Sequence, residues 1–179
     1  MAETKTKSPS TKSPSAKQVA TAYFDAIKQR DVDAMADCWK PGSVDHFYGM
    51  ADLRVPQDLK QWFGNLFRAF PDFLMEVTDM VAYGNKAAVR WHAGGTFTGP
   101  GKFEGLTATG ASVELEGLDL LTIEDGKIID NRAYTNAMEM ARQMGAMPPQ
   151  GSVGEKAMFG ATNARTAVAA MIKRARERG

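Results

Sequence analysis

Three polar side chains fall where strand alternation places mostly apolar ones. In residues 112–124, Val113, Leu115, Gly117, Asp119 and Leu121 share one face, while Glu114, Glu116, Leu118, Leu120 and Thr122 share the other. Asp119 is therefore a carboxylate on an apolar face. Burying an ionised carboxylate costs several kcal/mol unless it is paired or hydrogen-bonded, so the group either finds a partner or has its pKa lifted toward the range useful for proton transfer. Gly117, two residues earlier on that face, leaves space beside it. An aspartate paired purely for architecture satisfies the same pattern, because structural ion pairs perturb pKa too.

Asn131 falls with Ile129 and Ala133 on one face of residues 127–134, opposite Asp130, Arg132 and Tyr134. A neutral amide facing inward orients a substrate carbonyl or stabilises a developing oxyanion, or else bonds the neighbouring strand. His46 shares a face with Val44 and Tyr48, leaving Asp45 and Phe47 on the other. An imidazole with an ordinary pKa near 6.5 suits acid/base work, and a satisfied core histidine is the competing reading. Asp119, His46 and Asn131 are thus the candidate catalytic residues. Tyr23, Trp62, Phe63, Tyr48 and Trp91 are the candidate walls of a site for a flat, apolar ligand, although most aromatics in a domain this size simply fill the core. His92 alternates with Arg90 and Gly94 and is read as facing outward.

The elements that must position these groups follow from hydrophobic period and turn residues. Ala20, Tyr23, Phe24 and Ile27 recur at helical spacing from Gln18 onward. Asp31 offers an N-cap for a second short helix with Val32, Met35, Cys38 and Trp39 inward, stopped by Lys40-Pro41-Gly42. A strand is predicted over Val44 to Tyr48. A third helix starts at Pro56 and carries Leu59, Trp62, Phe63, Leu66, Phe67 and Phe70. Strands follow over 73–83, 86–98, 112–124 and 127–134, with a glycine-rich loop from Gly99 to Gly110. A helix over 136–144 and an Ala-rich helix over 154–177 close the chain. Three helices leading a twisted antiparallel meander predict an α+β fold with one curved sheet wrapped around the helices, and exclude a parallel α/β fold.

Composition bounds the function. The chain has 179 residues, 44% hydrophobic and 24% charged, which suits a single core. The lone Cys38 excludes an internal disulfide and a CxxC zinc site. No apolar run reaches the roughly 18 residues of a membrane span, and residues 1–17 lack a secretory h-region, so the expected address is cytoplasmic. Residues 1–17 carry four Lys against one Glu and repeat Lys-Ser-Pro-Ser, which predicts a disordered tail of charge +3. Residues 154–179 carry six Lys/Arg against two Glu, a charge of +4. The intervening 18–153 must then carry −6 to leave the chain at +1. A nucleic-acid binder puts its cationic stripe on the folded body, and here the body has the opposite sign. Neither nucleic acid nor membrane is an expected partner. Gly-x-Ser-x-Gly, P-loop and Gly-x-Gly-x-x-Gly motifs are missing, and no metal-ligand spacing is seen, so neither a cofactor nor a metal is indicated.

This order of elements, with Gly95-Thr96-Phe97-Thr98-Gly99, Gly105-Leu106-Thr107-Ala108-Thr109-Gly110, Asp125-Gly126-Lys127-Ile128 and Arg142-Gln143-Met144-Gly145, resembles the SnoaL-like polyketide cyclases of the NTF2-like superfamily. The resemblance covers residues 18–150, with 1–17 as a tail and 151–179 as a helical extension. It implies a cone-shaped α+β barrel with a deep apolar pocket, a homodimer formed through the sheet, and cofactor-independent acid/base chemistry. In the aldol cyclases the acid/base aspartate lies five residues after the Ile of the Asp-Gly-Lys-Ile turn, which is Ala133 here. Phe97 replaces the histidine of the Gly-Thr-His motif. The candidate proton-transfer group is then Asp119, one strand away. Two functions remain open at this point: a cyclase- or isomerase-type enzyme acting on a flat hydrophobic carbonyl compound, polyketide- or steroid-like, and a non-catalytic small-molecule-binding or interaction module. Epoxide or ester hydrolysis would need an arginine beside Asp119, and alternation puts Arg90 and Arg132 on the outer faces.

Overall fold

The computed structural model describes residues 13–177. The expectations that fall on residues 1–12 and 178–179 lie outside the described residues. Helix α1 (Ala16–Gln29) starts two residues before Gln18, where its apolar pattern was read to begin. Ser15 and Gln18 form a reciprocal cap: the Gln18 amide N–H donates to Ser15 Oγ at 3.3 Å, and the Ser15 N–H donates to Gln18 Oε1 at 2.9 Å. Asp31 caps α2 (Val32–Asp37) as its side-chain chemistry predicts, accepting from the Asp33 and Ala34 amides.

Strand β1 (Trp39–Phe47) occupies residues expected to end a helix and form a stop. Lys40-Pro41-Gly42 is instead strand, tolerated because the pairing is irregular between Trp39 and Val44 and so does not call on the missing proline N–H. A short β2 (Ala51–Arg54), too brief to announce itself by period, pairs antiparallel with β1. Pro56 then precedes α3 (Gln57–Ala69).

The long strands are β3 (Leu74–Tyr83) and β4 (Lys86–Thr96), followed after a small hairpin of β5 (Lys102–Phe103) and β6 (Leu106–Thr107) by β7 (Ser112–Glu124) and β8 (Lys127–Thr135). They form the expected meander. The six-stranded sheet has the order β2-β1-β8-β7-β4-β3, and β1 lies parallel to β8. That one parallel pair is invisible to local alternation, because no hairpin fixes it. Helices α1 to α3 fill the concave side, burying Tyr23, Phe24, Ile27, Met35, Leu59 and Phe63 against Trp39, Val89, Trp91, Leu121 and Ile128. The result is the mixed α+β architecture that the order of elements predicts.

Helix α4 (Ala137–Gln143), capped by Asn136, lies against β7. Helix α5 (Val153–Arg176) is tied to it by an ion pair between Arg142 and Glu155 at 2.7 Å, and from Phe159 to Glu177 every residue is exposed. Among the described residues, no helix is long and apolar enough to cross a membrane.

Candidate active site

Between the helices and the concave face lies a cavity of about 70 Å³. Its wall is almost wholly apolar: Phe24 and Ile27 from α1, Trp62, Phe63 and Leu66 from α3, and Met75, Trp91, Ala93 and Leu115 from the sheet. Asp119 and Tyr23 are its ionisable lining residues. Alternation therefore placed Asp119 on the correct face of β7.

The space that Gly117 leaves is filled. A Cβ at position 117 would lie 2.1 Å from Trp91 Cζ2, so only glycine lets the indole lie flat across β7 from the facing position on β4. From there Trp91 Nε1 donates to Asp119 Oδ1 at 2.8 Å. Asn131 faces inward as expected, but its two amide hydrogens are both committed. Nδ2 donates to Asp119 Oδ2 at 2.7 Å and to Asp45 Oδ1 at 2.9 Å. With acceptors on both sides, the amide orientation is fixed by the two carboxyl groups. Tyr23 Oη lies 3.1 Å from Asp45 Oδ2. A single chain of hydrogen bonds thus runs Trp91, Asp119, Asn131, Asp45, Tyr23, from β4 through β7, β8 and β1 to α1.

Asp45 is fully buried and was missed by alternation. A carboxylate flanked by Val44 and His46 reads as the solvent side of a strand. The available signal was Phe47, which shares its face and lines the cavity. The parallel register sets Asp45 beside Asn131 and Phe47 beside Ala133, and this turns the assigned faces of β1 over.

His46 consequently lies on the outer face and cannot reach the cavity. Its Nδ1 is 2.8 Å from Asp52 Oδ1, and its Nε2 is 3.7 Å from Asp130 Oδ1. Tyr48 is also outside, 44% exposed and stacked on Tyr134 with ring centroids 4.7 Å apart. The other predicted wall residues, Tyr23, Trp62, Phe63 and Trp91, do line the cavity. Trp62 stands against Phe47 at 5.0 Å and donates its indole N–H to Glu104 at 2.9 Å. Arg90 and Arg132 face outward, paired with Glu116 and Asp130.

The electrostatics follow from burial without a counter-cation. Desolvation pushes the Asp119 carboxyl from the ordinary 3.8 up to about 6, against the pull of its hydrogen bonds from Trp91 and Asn131. Burial also lifts Asp45 well above its ordinary value, and the Asp119 charge adds to this. Tyr23 is raised by burial and then by Asp45 and Asp119. Ala133, only 1% exposed, stands directly across from Asp119 in the β7–β8 pair. A side chain there and one at 119 have Cβ atoms about 4.5–5.5 Å apart, so the two positions belong to the same wall. Among the described residues, no group of three or more His, Cys, Asp and Glu is placed to hold a metal ion.

The family model for SnoaL-like polyketide cyclase matches residues 17–144. Among solved structures, the chain is similar to a SnoaL-like candidate polyketide cyclase from Jannaschia sp. CCS1, with 20% identity over 78% of this chain and 100% of that one and a TM-score of 0.65. It is similar also to AclR from Streptomyces galilaeus, a candidate hydroxylase, with 22% identity over 74% and 97% and a TM-score of 0.63. A third is IdmH from Streptomyces antibioticus, a candidate polyketide cyclase, with 25% identity over 73% and 98% and a TM-score of 0.58. No curated protein sequence matches significantly. A helix-filled sheet in this strand order, matched by the family model over most of the chain, means that the protein belongs to the SnoaL-like polyketide cyclase family.

Proposed function

We propose that the protein is a cofactor-independent acid/base enzyme that moves a proton alpha to the carbonyl of a flat, hydrophobic, polyketide-like compound. The observation that carries this reading is Asp119: a carboxyl with a pKa near 6, facing an aromatic-walled cavity, with hydrogen-bond donors but no cation beside it. A base of that strength is ionised at neutral pH yet binds a proton far more readily than an exposed aspartate. Trp91 and Asn131 hold both its oxygens in place and leave lone pairs for a substrate C–H. Asn131 itself polarises nothing in a ligand, because both its amide hydrogens are spent on carboxyl groups.

The test is exchange of the alpha protons of β-tetralone in heavy water, followed by NMR. Catalysed exchange should rise with pH through about 6 and then level off, since the ionised base does the work. Asp119→Asn should lower the rate about 10²–10⁴-fold, the usual worth of a positioned base, and leave β-tetralone binding in place. Exchange that survives in this variant would rule Asp119 out.

A second reading, a ligand-binding module without turnover, is favoured by two observations. One is the methyl group of Ala133 where the aldol cyclases carry their aspartate. The other is the cavity volume of about 70 Å³, well under the roughly 300–1,000 Å³ of sites for drug-sized ligands. A large ligand enters only if flexible wall residues such as Met50 and Met140 move aside. Saturable binding of β-tetralone with no exchange above background would select this reading.

A further inference from the structure

Asn131 donates to both carboxyl groups, so Asp45 Oδ1 and Asp119 Oδ2 must each be acceptors. Two carboxylates tied to one amide nitrogen, in a buried site, do not both ionise at neutral pH. The groups facing Asp45 are Tyr23 from α1, Asp119 from β7, and Asn131 and Asp130 from β8, with no cation among them. Asp45 is fully buried, whereas Asp119 borders the cavity. The proton therefore belongs to Asp45. Because Asp45 Oδ1 is already accepting, that proton sits on Oδ2, and the atom facing Oδ2 is Tyr23 Oη at 3.1 Å. A phenol oxygen that accepts from Asp45 must direct its own hydrogen elsewhere, and Tyr23 borders the cavity.

We infer that Asp45 is a positioning residue: it stays protonated, donates to Tyr23 Oη, and so turns the Tyr23 hydroxyl into the cavity as the donor to the carbonyl oxygen of the ligand. The inference deepens the proton-transfer reading. It supplies the oxygen-polarising group that His46 and Asn131 do not, and leaves Asp119 as the charged member of the pair.

Asp45→Asn tests it, since an amide mimics the neutral acid: its Oδ1 accepts from Asn131 and its Nδ2 donates to Tyr23. The Asp119 titration, followed through its Cγ chemical shift, should keep its midpoint near about 6 in this variant. A fall of about one unit or more would mean that a negative charge had been removed from position 45, and would overturn the inference. In the wild-type protein the Cγ shift of Asp45 should stay that of a carboxylic acid through neutral pH; a carboxylate shift there overturns it equally. The infrared carbonyl band of bound β-tetralone should lie below its free frequency in the wild type and in Asp45→Asn, and return toward the free value in Tyr23→Phe. A band unmoved by Tyr23→Phe removes the donor role. These readings need no turnover, so absence of proton exchange would sink the catalytic proposal alone.

Discussion

Replacing Asp119 by Asn removes a carboxyl whose pKa is lifted to about 6 and changes how stability depends on pH. The native state holds this proton more tightly than the unfolded chain, so the contribution of the group is fully present below its ordinary value of 3.8 and is lost as pH rises through about 6. A lift of this size corresponds to about 3 kcal/mol, the amount by which ionised Asp119 weakens the fold at neutral pH. Asparagine carries no such pH dependence. It has a cost of its own: one of the two N–H donors from Trp91 and Asn131 then faces an amide NH₂ instead of an acceptor, worth about 1–3 kcal/mol at every pH. Asp119→Asn should therefore be clearly the less stable protein near pH 4 and approach or exceed the wild type near pH 7.5. Urea unfolding at pH steps between these limits measures the gap directly. The gap should change by about 2.5 kcal/mol across the range from Asp119 alone, or on the order of 5–10 °C in melting temperature for a chain of this length. Asp45 adds pH dependence of the same sign, and because the Asp119 charge helps to lift Asp45, losing that charge in Asp119→Asn weakens the Asp45 contribution too and widens the change in the gap in the same direction. A gap constant to within about 0.5 kcal/mol would refute the idea that burial has shifted Asp119.

Trp91→Phe keeps the cavity wall but deletes the donor to Asp119 Oδ1, so the Asp119 midpoint should climb by about one unit above its wild-type value in an NMR titration. Gly117→Ala drives a methyl group into the Trp91 ring and should destabilise the fold by about 1–3 kcal/mol in urea, with a change in tryptophan fluorescence as the indole leaves Asp119. His46→Ala breaks only a surface pairing with Asp52 and Asp130, so stability should move by less than about 1 kcal/mol and β-tetralone exchange should be unchanged.

Alternation revealed a residue of the site where its neighbours on the strand were apolar. Asp119 among Val113, Leu115 and Leu121, and Asn131 beside Ala133, stand out for that reason, and Trp91 falls on the same side by the same rule. Ile129, expected on that face, is displaced by the irregularity in the β7–β8 pairing, and Ile128 is the buried residue there. Asp45 does not stand out. Its burial is compensated by Asn131 and Tyr23, partners that lie far away in the chain, and nothing local marks it. His46 was misplaced by the same error, because turning β1 over exchanges the two. The helix stop expected at Lys40-Pro41-Gly42 failed because a pairing irregularity accommodates a proline that a regular ladder would reject. Gly117 was singled out correctly and explained incorrectly. The missing side chain admits an indole rather than a ligand.

The parallel pairing of the first and last long strands has a kinetic consequence. The amide that joins the two acids comes from 86 residues beyond Asp45, across one of the widest loops the chain must close. Contacts of such separation slow folding, and this one requires β1 to find β8 across that loop. Until it does, Asp45 lacks the Asn131 amide and the neighbouring Asp119 charge, whereas Asp119 already has Asn131 across the β7–β8 hairpin. The chemistry of the pocket is thus a property of the finished topology, and of none of its hairpins alone.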